Sequence, residues 1–320
     1  MNKEIYDAMI IGGGPAGLTS GIYMARSMVK TLLIEKETLG GQALTTDLIE
    51  NYPGFPKGIS GLKLTQLMEE QAQHFGLDIA LPCEAISIEK QNRLKKVITS
   101  RGDYLTKVII IATGAHPARL NIPREKELQG KGVSYCATCD GPLFKDKVVL
   151  VVGGGDAAVE EALLLSKFAS KVIVVHRRDE LRATQILQDR AFKNPKIEFL
   201  WNSNVTEILG RTKVEGVIVR DKISRELRKI PVAGIFVYIG TIPNSNFVKN
   251  ILHLDEKGYI ITDEKLETSV EGIFAAGDVR KSPLKQVTTA VGEGALAAIS
   301  AQKYVEQNFS DLYTELRKGD

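Results

Sequence analysis

Two cysteines separated by two residues, in Cys136-Ala137-Thr138-Cys139, are followed at once by an acid, Asp140. Thiols at that spacing can close a small disulfide ring, and at the first turn of a helix the backbone N–H groups favour the thiolate over the thiol. Asp140 is in reach to hand a proton to a departing thiolate. Gly153 follows Cys139 by 14 residues and opens Gly153-Gly154-Gly155-Asp156-Ala157-Ala158, the glycine pattern of a dinucleotide turn. One segment thus holds a group that can be reduced and a site for a molecule that could reduce it. The chemistry indicated is electron transfer to a disulfide. Paired cysteines at this spacing also ligate zinc, but a zinc site needs two further ligands. The chain offers Cys83 and four scattered histidines, His74, His116, His176 and His253, none at ligand spacing from another, so no metal is expected. Cys83 reads as a buried small hydrophobe.

The elements around these residues follow from pattern. A strand at 6–11 runs into Gly12-Gly13-Gly14-Pro15-Ala16-Gly17 and then into a helical pattern with Leu18, Ile22 and Ala25 on one face. The glycines allow a tight turn and close backbone approach to a pyrophosphate, whose charge sits against the helix N-terminus. A second strand, Thr31-Leu32-Leu33-Ile34, ends in Glu35, 23 residues after Gly12. A carboxylate there, with Lys36 beside it, accepts hydrogen bonds from an adenosine ribose. The second copy repeats this in the same register. An apolar strand at 148–152 leads to Gly153, Gly155 and Ala158, a helix follows, and a strand at 172–175 ends in His176, 23 residues after Gly153. Where the first copy has Glu35, the second has His176-Arg177-Arg178, with Arg182 one turn on. Guanidinium groups bind an adenosine 2′-phosphate through charge-assisted hydrogen bonds, whereas a carboxylate repels it, so the second site is expected to take NADPH.

The loop Leu39-Gly40-Gly41-Gln42 and the polar, Pro-rich stretch through Asn51 are too long for a minimal connector and read as a cover over a ligand, with Gly41, Gln42 and Asn51 as candidate contacts. A helix from Ser60 to about Phe75 reads as core packing. Residues 78–106 alternate strand-like segments with turns and lead to a buried strand that ends in Ala112-Thr113-Gly114. Residues 254–260 read as a turn between strands, and 272–279 as a strand ending in an acid, Asp278, that could hold a ribityl hydroxyl. Lys285, Gln286 and Val287 then enter a helix to about Gln307, whose N-terminus would stabilise negative charge on a flavin. The stretches 115–119 and 240–244 look like boundaries, with Ile239 and Gly240 as the last candidate contacts of the second nucleotide. The basic run at 220–229 reads as the solvated side of a hairpin. The fold class expected is α/β: two Rossmann-like three-layer (ββα) nucleotide-binding domains, the second inserted in the first. The expected divisions are 1–116, 117–243 and 244–320.

Composition limits the partners. The 320 residues allow two domains of ordinary size, and 42 Lys plus Arg stand against 39 Asp plus Glu. That balance implies no general affinity for nucleic acid or an anionic membrane. The longest apolar runs are strand-sized, far short of a membrane span. The N-terminus carries two acids and enters a strand directly, unlike a secretory signal. Three cysteines make no secreted disulfide framework, so a cytoplasmic location is expected, where a disulfide is catalytic.

Taken together, the two glycine turns, Glu50-Asn51-Tyr52-Pro53-Gly54, the Cys136–Asp140 motif, His176-Arg177-Arg178 with Arg182, and Ala276-Gly277-Asp278-Val279 resemble the low-molecular-weight thioredoxin reductases of bacteria and archaea over nearly the whole chain. The resemblance implies a homodimer in which an FAD domain is interrupted by an inserted NADPH domain. It also implies that Cys139 faces the flavin, Cys136 attacks the disulfide of thioredoxin or a thioredoxin-like protein, and Asp140 is the acid/base. Lys285 stands where the family often has Arg. Electrons would pass from NADPH to FAD, to the Cys136–Cys139 disulfide and to the partner. Because dithiol and nicotinamide sites share one domain, the domains are expected to rotate about connectors near 116 and 243. The alternatives are a flavin-dependent dithiol oxidase, which has no need of the arginine cluster, and a reductase of another thioredoxin-like protein. A non-catalytic nucleotide-binding or zinc-stabilised module has no use for both turns and the dithiol.

Overall fold

A computed structural model describes residues 5–46 and 48–309. Residues 1–4, part of the reading against a secretory signal, and 310–320, the end of the expected third segment, lie outside the described residues. The chain divides into two compact units, one being Pro117–Thr241 and the other the described residues on either side of it. The return to the first unit comes after Thr241, two residues ahead of the expected 243. It falls inside a short strand, Thr241–Pro243, that pairs with Ala115–Pro117.

In the first unit, strands Asp78–Ala80, Thr31–Ile34, Ile5–Ile11 and Gly102–Ile111 pair in that order, all parallel, and Ile273–Ala275 also pairs with the last of them. Met9, Ile10, Ile109 and Ile110 are fully buried, as continuous apolar strands covered on both faces must be. The strand expected near 107–112 begins earlier, at Gly102, because its first half pairs antiparallel with Leu94–Thr99, which pairs in turn with Ala85–Gln91. Helices Pro15–Arg26, Gly61–His74 and Val287–Asn308 share one core against the sheet. Ser60 caps the second of these by accepting from Lys63 N. The last lies tight on the first: a Cβ at Gly294 would sit 2.3 Å from the Ala16 carbonyl oxygen, and Ser20 Oγ donates to Gly294 O at 2.9 Å. Two local expectations are corrected. Residues 254–260 form the expected turn but lie between isolated bridges, Leu254 with Ile260 and Ile260 with Arg280, rather than strands, and Asp255 Oδ1 closes the turn by accepting from Lys257 N and Tyr259 N. The strand expected over 272–279 is only Ile273–Ala275, because Gly277, at φ +75°, turns the chain into a 3₁₀ segment, Gly277–Val279.

The second unit has three layers. Its parallel sheet orders Ile197–Leu200, Lys171–Val175, Val148–Gly153, Gly234–Tyr238 and Val133–Ser134. Strand periodicity sends alternate side chains to opposite faces. Leu150, Val152, Ile173 and Val175 pack with Val205, Ile208, Val217 and Val219 of an antiparallel sheet, Ser203–Leu209, Gly216–Asp221 and Leu227–Ile230. Val149, Val151, Val172 and Val174 pack on Ala158, Ala162 and Leu165 of helix Asp156–Leu165. The basic run at 220–229 lies on the exposed end of that antiparallel sheet.

Candidate active site

In the second unit Cys136 and Cys139 form a disulfide. Cys136 caps the single helical turn Ala137–Asp140, its Sγ accepting from Cys139 N at 3.1 Å. An N–H aimed at that sulfur favours its thiolate once the ring opens. Cys139 is exposed, and Cys136 and Asp140 are half-buried. Ser134 Oγ accepts from Cys136 N and donates to Cys136 O, at 3.0 and 3.1 Å. Just ahead, Tyr135 donates its hydroxyl to Glu125 Oε1 at 2.7 Å, and the buried Glu125 carboxylate also accepts from Leu120 N and Asn121 N. Burial and then the Glu125 contact push the Tyr135 hydroxyl pKa up, so it remains a donor.

The nucleotide turn of this unit begins where Val148–Gly153 ends. At Gly153, φ +153°, a Cβ would lie 2.3 Å from the Tyr238 carbonyl oxygen, and at Gly155 it would meet nothing within 4 Å. Gly155 caps helix Asp156–Leu165 without any side-chain partner, leaving open space against a helix N-terminus suited to a pyrophosphate. Ala157 lies in the first turn of that helix and Ala158 is buried beneath it. Asp156 Oδ1 accepts from Thr184 N and Gly154 O accepts from Arg182 N, at 2.6 and 2.7 Å. These bonds hold the 176–184 segment on the turn. Arg177, Arg178 and Arg182 are exposed, and the ion pairs among the described residues engage none of them. His176 is buried and its Nε2 has no hydrogen-bond partner. Burial, then Arg182, Arg178 and Arg177, push its pKa down, so three cations surround a neutral imidazole. Uncompensated positive charge beside an open helix N-terminus fits NADPH. Ile239 and Gly240 follow, exposed, from Gly234–Tyr238.

In the first unit, Gly12 has φ +109° and a Cβ there would fall 2.4 Å from the Ala112 carbonyl oxygen; at Gly17 it would fall 1.8 Å from Gly12 O. Only Gly41 Cα, at 3.8 Å, would approach a Cβ at Gly14. Pro15 starts the helix, and Ala16 is buried under it. Glu35 accepts from Gly13 N at 2.7 Å and from Glu37 N at 3.0 Å, which pins its carboxylate at the turn. A cavity of about 500 Å³ opens here, lined among others by Gly12, Glu35, Lys36, Cys83 and Thr113. Cys83 is buried and free, as expected. Thr113 and Asn244 exchange two hydrogen bonds, at 2.7 and 2.8 Å, and Gly114 sits beside them at φ +64°. A cavity of that volume ending on a fixed carboxylate fits the adenosine end of FAD.

The remaining flavin candidates are sorted by the structure. Asn51 Nδ2 donates to Gln286 Oε1 at 3.0 Å across 235 residues of sequence. Gln286 caps helix Val287–Asn308 in a capping box with Thr289, so Val287 is its first residue. Gln42 is exposed in a 3₁₀ turn, Gly41–Thr45. The carboxyl of Asp278 is pushed up by burial, with Lys285 opposing. Lys285 Nζ is committed to the Asp278 and Arg280 carbonyls, at 2.9 and 3.0 Å, and lies 4.0 Å from the Tyr259 ring centroid. Glu293, not singled out by any motif, accepts from Gly277 N and Arg280 Nη1 and so braces the Asp278 turn. Tyr238, Ser134, Glu125 and Glu293 carry no short-range signature and could not be picked from the sequence.

The pyridine nucleotide-disulphide oxidoreductase profile matches residues 6–294. A thioredoxin reductase of Peptoclostridium acidaminophilum is 47% identical over 315 residues, 97% of this chain and 100% of that one. One from Bacillus subtilis is 47% identical over 313 residues, 98% of each. A crystal structure of Lactococcus lactis thioredoxin reductase (FR conformation) superposes with a TM-score of 0.92 at 47% identity, over 94% of this chain and 99% of that one. Two nucleotide turns, a dithiol ring in the unit that carries the arginine rim, and likeness along almost the whole length agree, and the chain belongs to the pyridine nucleotide-disulphide oxidoreductase family, among the thioredoxin reductases.

Proposed function

We propose that the enzyme reduces the disulfide of thioredoxin or a thioredoxin-like protein at the expense of NADPH, with Cys136 and Cys139 as the outlet. The observation that carries this reading is the Cys136–Cys139 disulfide in the same unit as a nucleotide turn rimmed by Arg177, Arg178 and Arg182. The Gly12–Gly17 turn, Glu35, Thr113 and the Asn51–Gln286 pair would hold FAD, which when bound would supply a two-electron relay between hydride donor and disulfide. The arginines take the 2′-phosphate, and the Gly155 turn takes the pyrophosphate. Two electrons and two protons convert the disulfide to a dithiol. Cys136 then attacks one sulfur of the partner disulfide as a thiolate, favoured by the Cys139 N–H aimed at it. Asp140 protonates the leaving thiolate. Cys139 then attacks Cys136 Sγ in the mixed disulfide and displaces the partner's second sulfur as a thiolate, which restores the ring and, once that thiolate takes a proton, frees the partner dithiol.

The domain limits 1–116, 117–243 and 244–320, rotation about the two connectors, and a homodimer belong to the same proposal. Rotation is supported by the placement of dithiol and NADPH turn in one unit and the Glu35 turn in the other. A cytoplasmic setting is supported by the sparse cysteines; among the described residues no helix is long and apolar enough to cross a membrane. The test is NADPH added to the FAD-loaded protein with thioredoxin. The wild type should bleach its flavin band and reduce thioredoxin, while Cys136→Ser and Cys139→Ser should each cut thioredoxin turnover more than about a hundredfold. Turnover retained by either variant, or bleaching reversed by oxygen alone, overturns the proposal.

A further inference from the structure

The backbone that carries the dithiol is held by side chains from outside both nucleotide turns. Ser134 binds both the N–H and the carbonyl of Cys136. Tyr238 Oη accepts from Ala137 N at 2.8 Å, across 101 residues of sequence. Ala137 is fully buried, so without that phenol oxygen its N–H would be stranded away from water. The Tyr238 hydroxyl pKa is pushed far up by burial, with Glu161 adding and the Ala137 N–H opposing. The group is therefore a neutral phenol at any working pH.

Ring opening makes these contacts matter. In the disulfide, the S–S bond itself holds the turn. In the dithiol that bond has been replaced by two S–H groups, and noncovalent contacts keep the sulfurs facing each other. At residues 136 and 137 those contacts include Ser134 and Tyr238. We infer that Tyr238, together with Ser134, is a positioning residue for the dithiol, holding the reduced turn in the shape of the closed ring. Pre-set sulfurs close the ring more readily. Ring closure is the oxidative half of the exchange, so the clamp makes the dithiol the stronger reductant. Without the hydroxyl, the open turn can relax and pair Ala137 N–H elsewhere, a freedom denied to the disulfide. The equilibrium then moves toward the dithiol. The inference rests on the reading of Cys136 and Cys139 as the redox pair.

The test equilibrates FAD-loaded full-length wild type, Tyr238→Phe and Ser134→Ala with glutathione redox buffers. Acid quenching, alkylation and mass spectrometry then give the fraction of Cys136–Cys139 disulfide. Tyr238→Phe should shift the dithiol–disulfide equilibrium about tenfold toward the dithiol, which is about 30 mV less reducing. Ser134→Ala should shift it the same way, and it carries the test alone if Tyr238→Phe does not fold, as judged by its Tm. A purely structural role would lower Tm and leave the equilibrium in place. A shift under about threefold in the folded variants overturns the clamp while leaving the redox pair standing. A wild type that forms no Cys136–Cys139 disulfide in any buffer overturns both.

Discussion

Glu35 and His176 occupy the same place in two copies of one motif, and their surroundings show how one residue changes what a turn can read. Glu35 is tied to Gly13 N and Glu37 N, so its carboxylate stands fixed at the turn, where the proposed FAD ribose would present its hydroxyls. His176 is buried and kept neutral, and the charge passes to Arg177, Arg178 and Arg182 on the exposed rim. A hydrogen bond between charged groups is worth about 1.5–3 kcal/mol, so Arg178→Ala should raise the KM for NADPH roughly 10- to 100-fold. Steady-state kinetics with both nucleotides checks it, because the KM for NADH should move by less than about threefold. Equal losses for the two would mean that Arg178 does not read the 2′-phosphate.

The helix Val287–Asn308 shows the same economy at the scale of an element. Its N-terminus is placed by Gln286, Thr289 and the close crossing at Gly294. Its other end is fastened by Lys95, a buried lysine on strand Leu94–Thr99 whose Nζ donates to Lys107 O at 2.9 Å and to the Tyr304 hydroxyl at 3.1 Å. Burial pushes the Lys95 pKa down to about 8, against partial compensation by Glu271. Below pH 8 both folded and unfolded chains carry this proton, and the cost of burying the charge is fully present. Between about pH 8 and the ordinary lysine value of 10.5, the unfolded chain binds more protons than the folded one, so stability rises with pH. The Tm of the wild type should therefore climb relative to Lys95→Met between pH 7.5 and 9.5, as followed by differential scanning calorimetry. A Tm difference that stays flat across that window refutes a depressed Lys95 pKa.

At the scale of the whole molecule, the relay is split: one unit carries the dithiol and the arginine-rimmed turn, the other the Glu35 turn and its cavity. The proposed rotation would carry electrons from the second unit to the first and back. Met28 in the first unit and Ile223 in the second are 90% and 77% exposed, so cysteines introduced there can carry dyes while Cys136 and Cys139 are oxidised and Cys83 is buried. Single-molecule FRET between them should show two efficiencies that exchange during turnover with NADPH and thioredoxin. One unchanging efficiency throughout turnover would refute the rotation.

Both glycine turns, the disulfide pair and the second strand-turn-helix unit were legible in the sequence because each is short-range: a strand period, glycines where the chain must turn, and cysteines two residues apart. Those features are encoded within about 25 residues, the span of one strand-helix-strand unit. The strand ending at Ile273–Ala275 was read too long and the Asp255 turn was given flanking strands, because a left-handed glycine or a local side-chain bond overrode the apolar pattern. What only the tertiary structure decided are the pairings across long separations: Asn51 with Gln286, Glu293 with Gly277, and Tyr238 with Ala137. None has a local signature, since strand register and helix crossing bring those groups within hydrogen-bond reach, and both depend on the packing of the whole core.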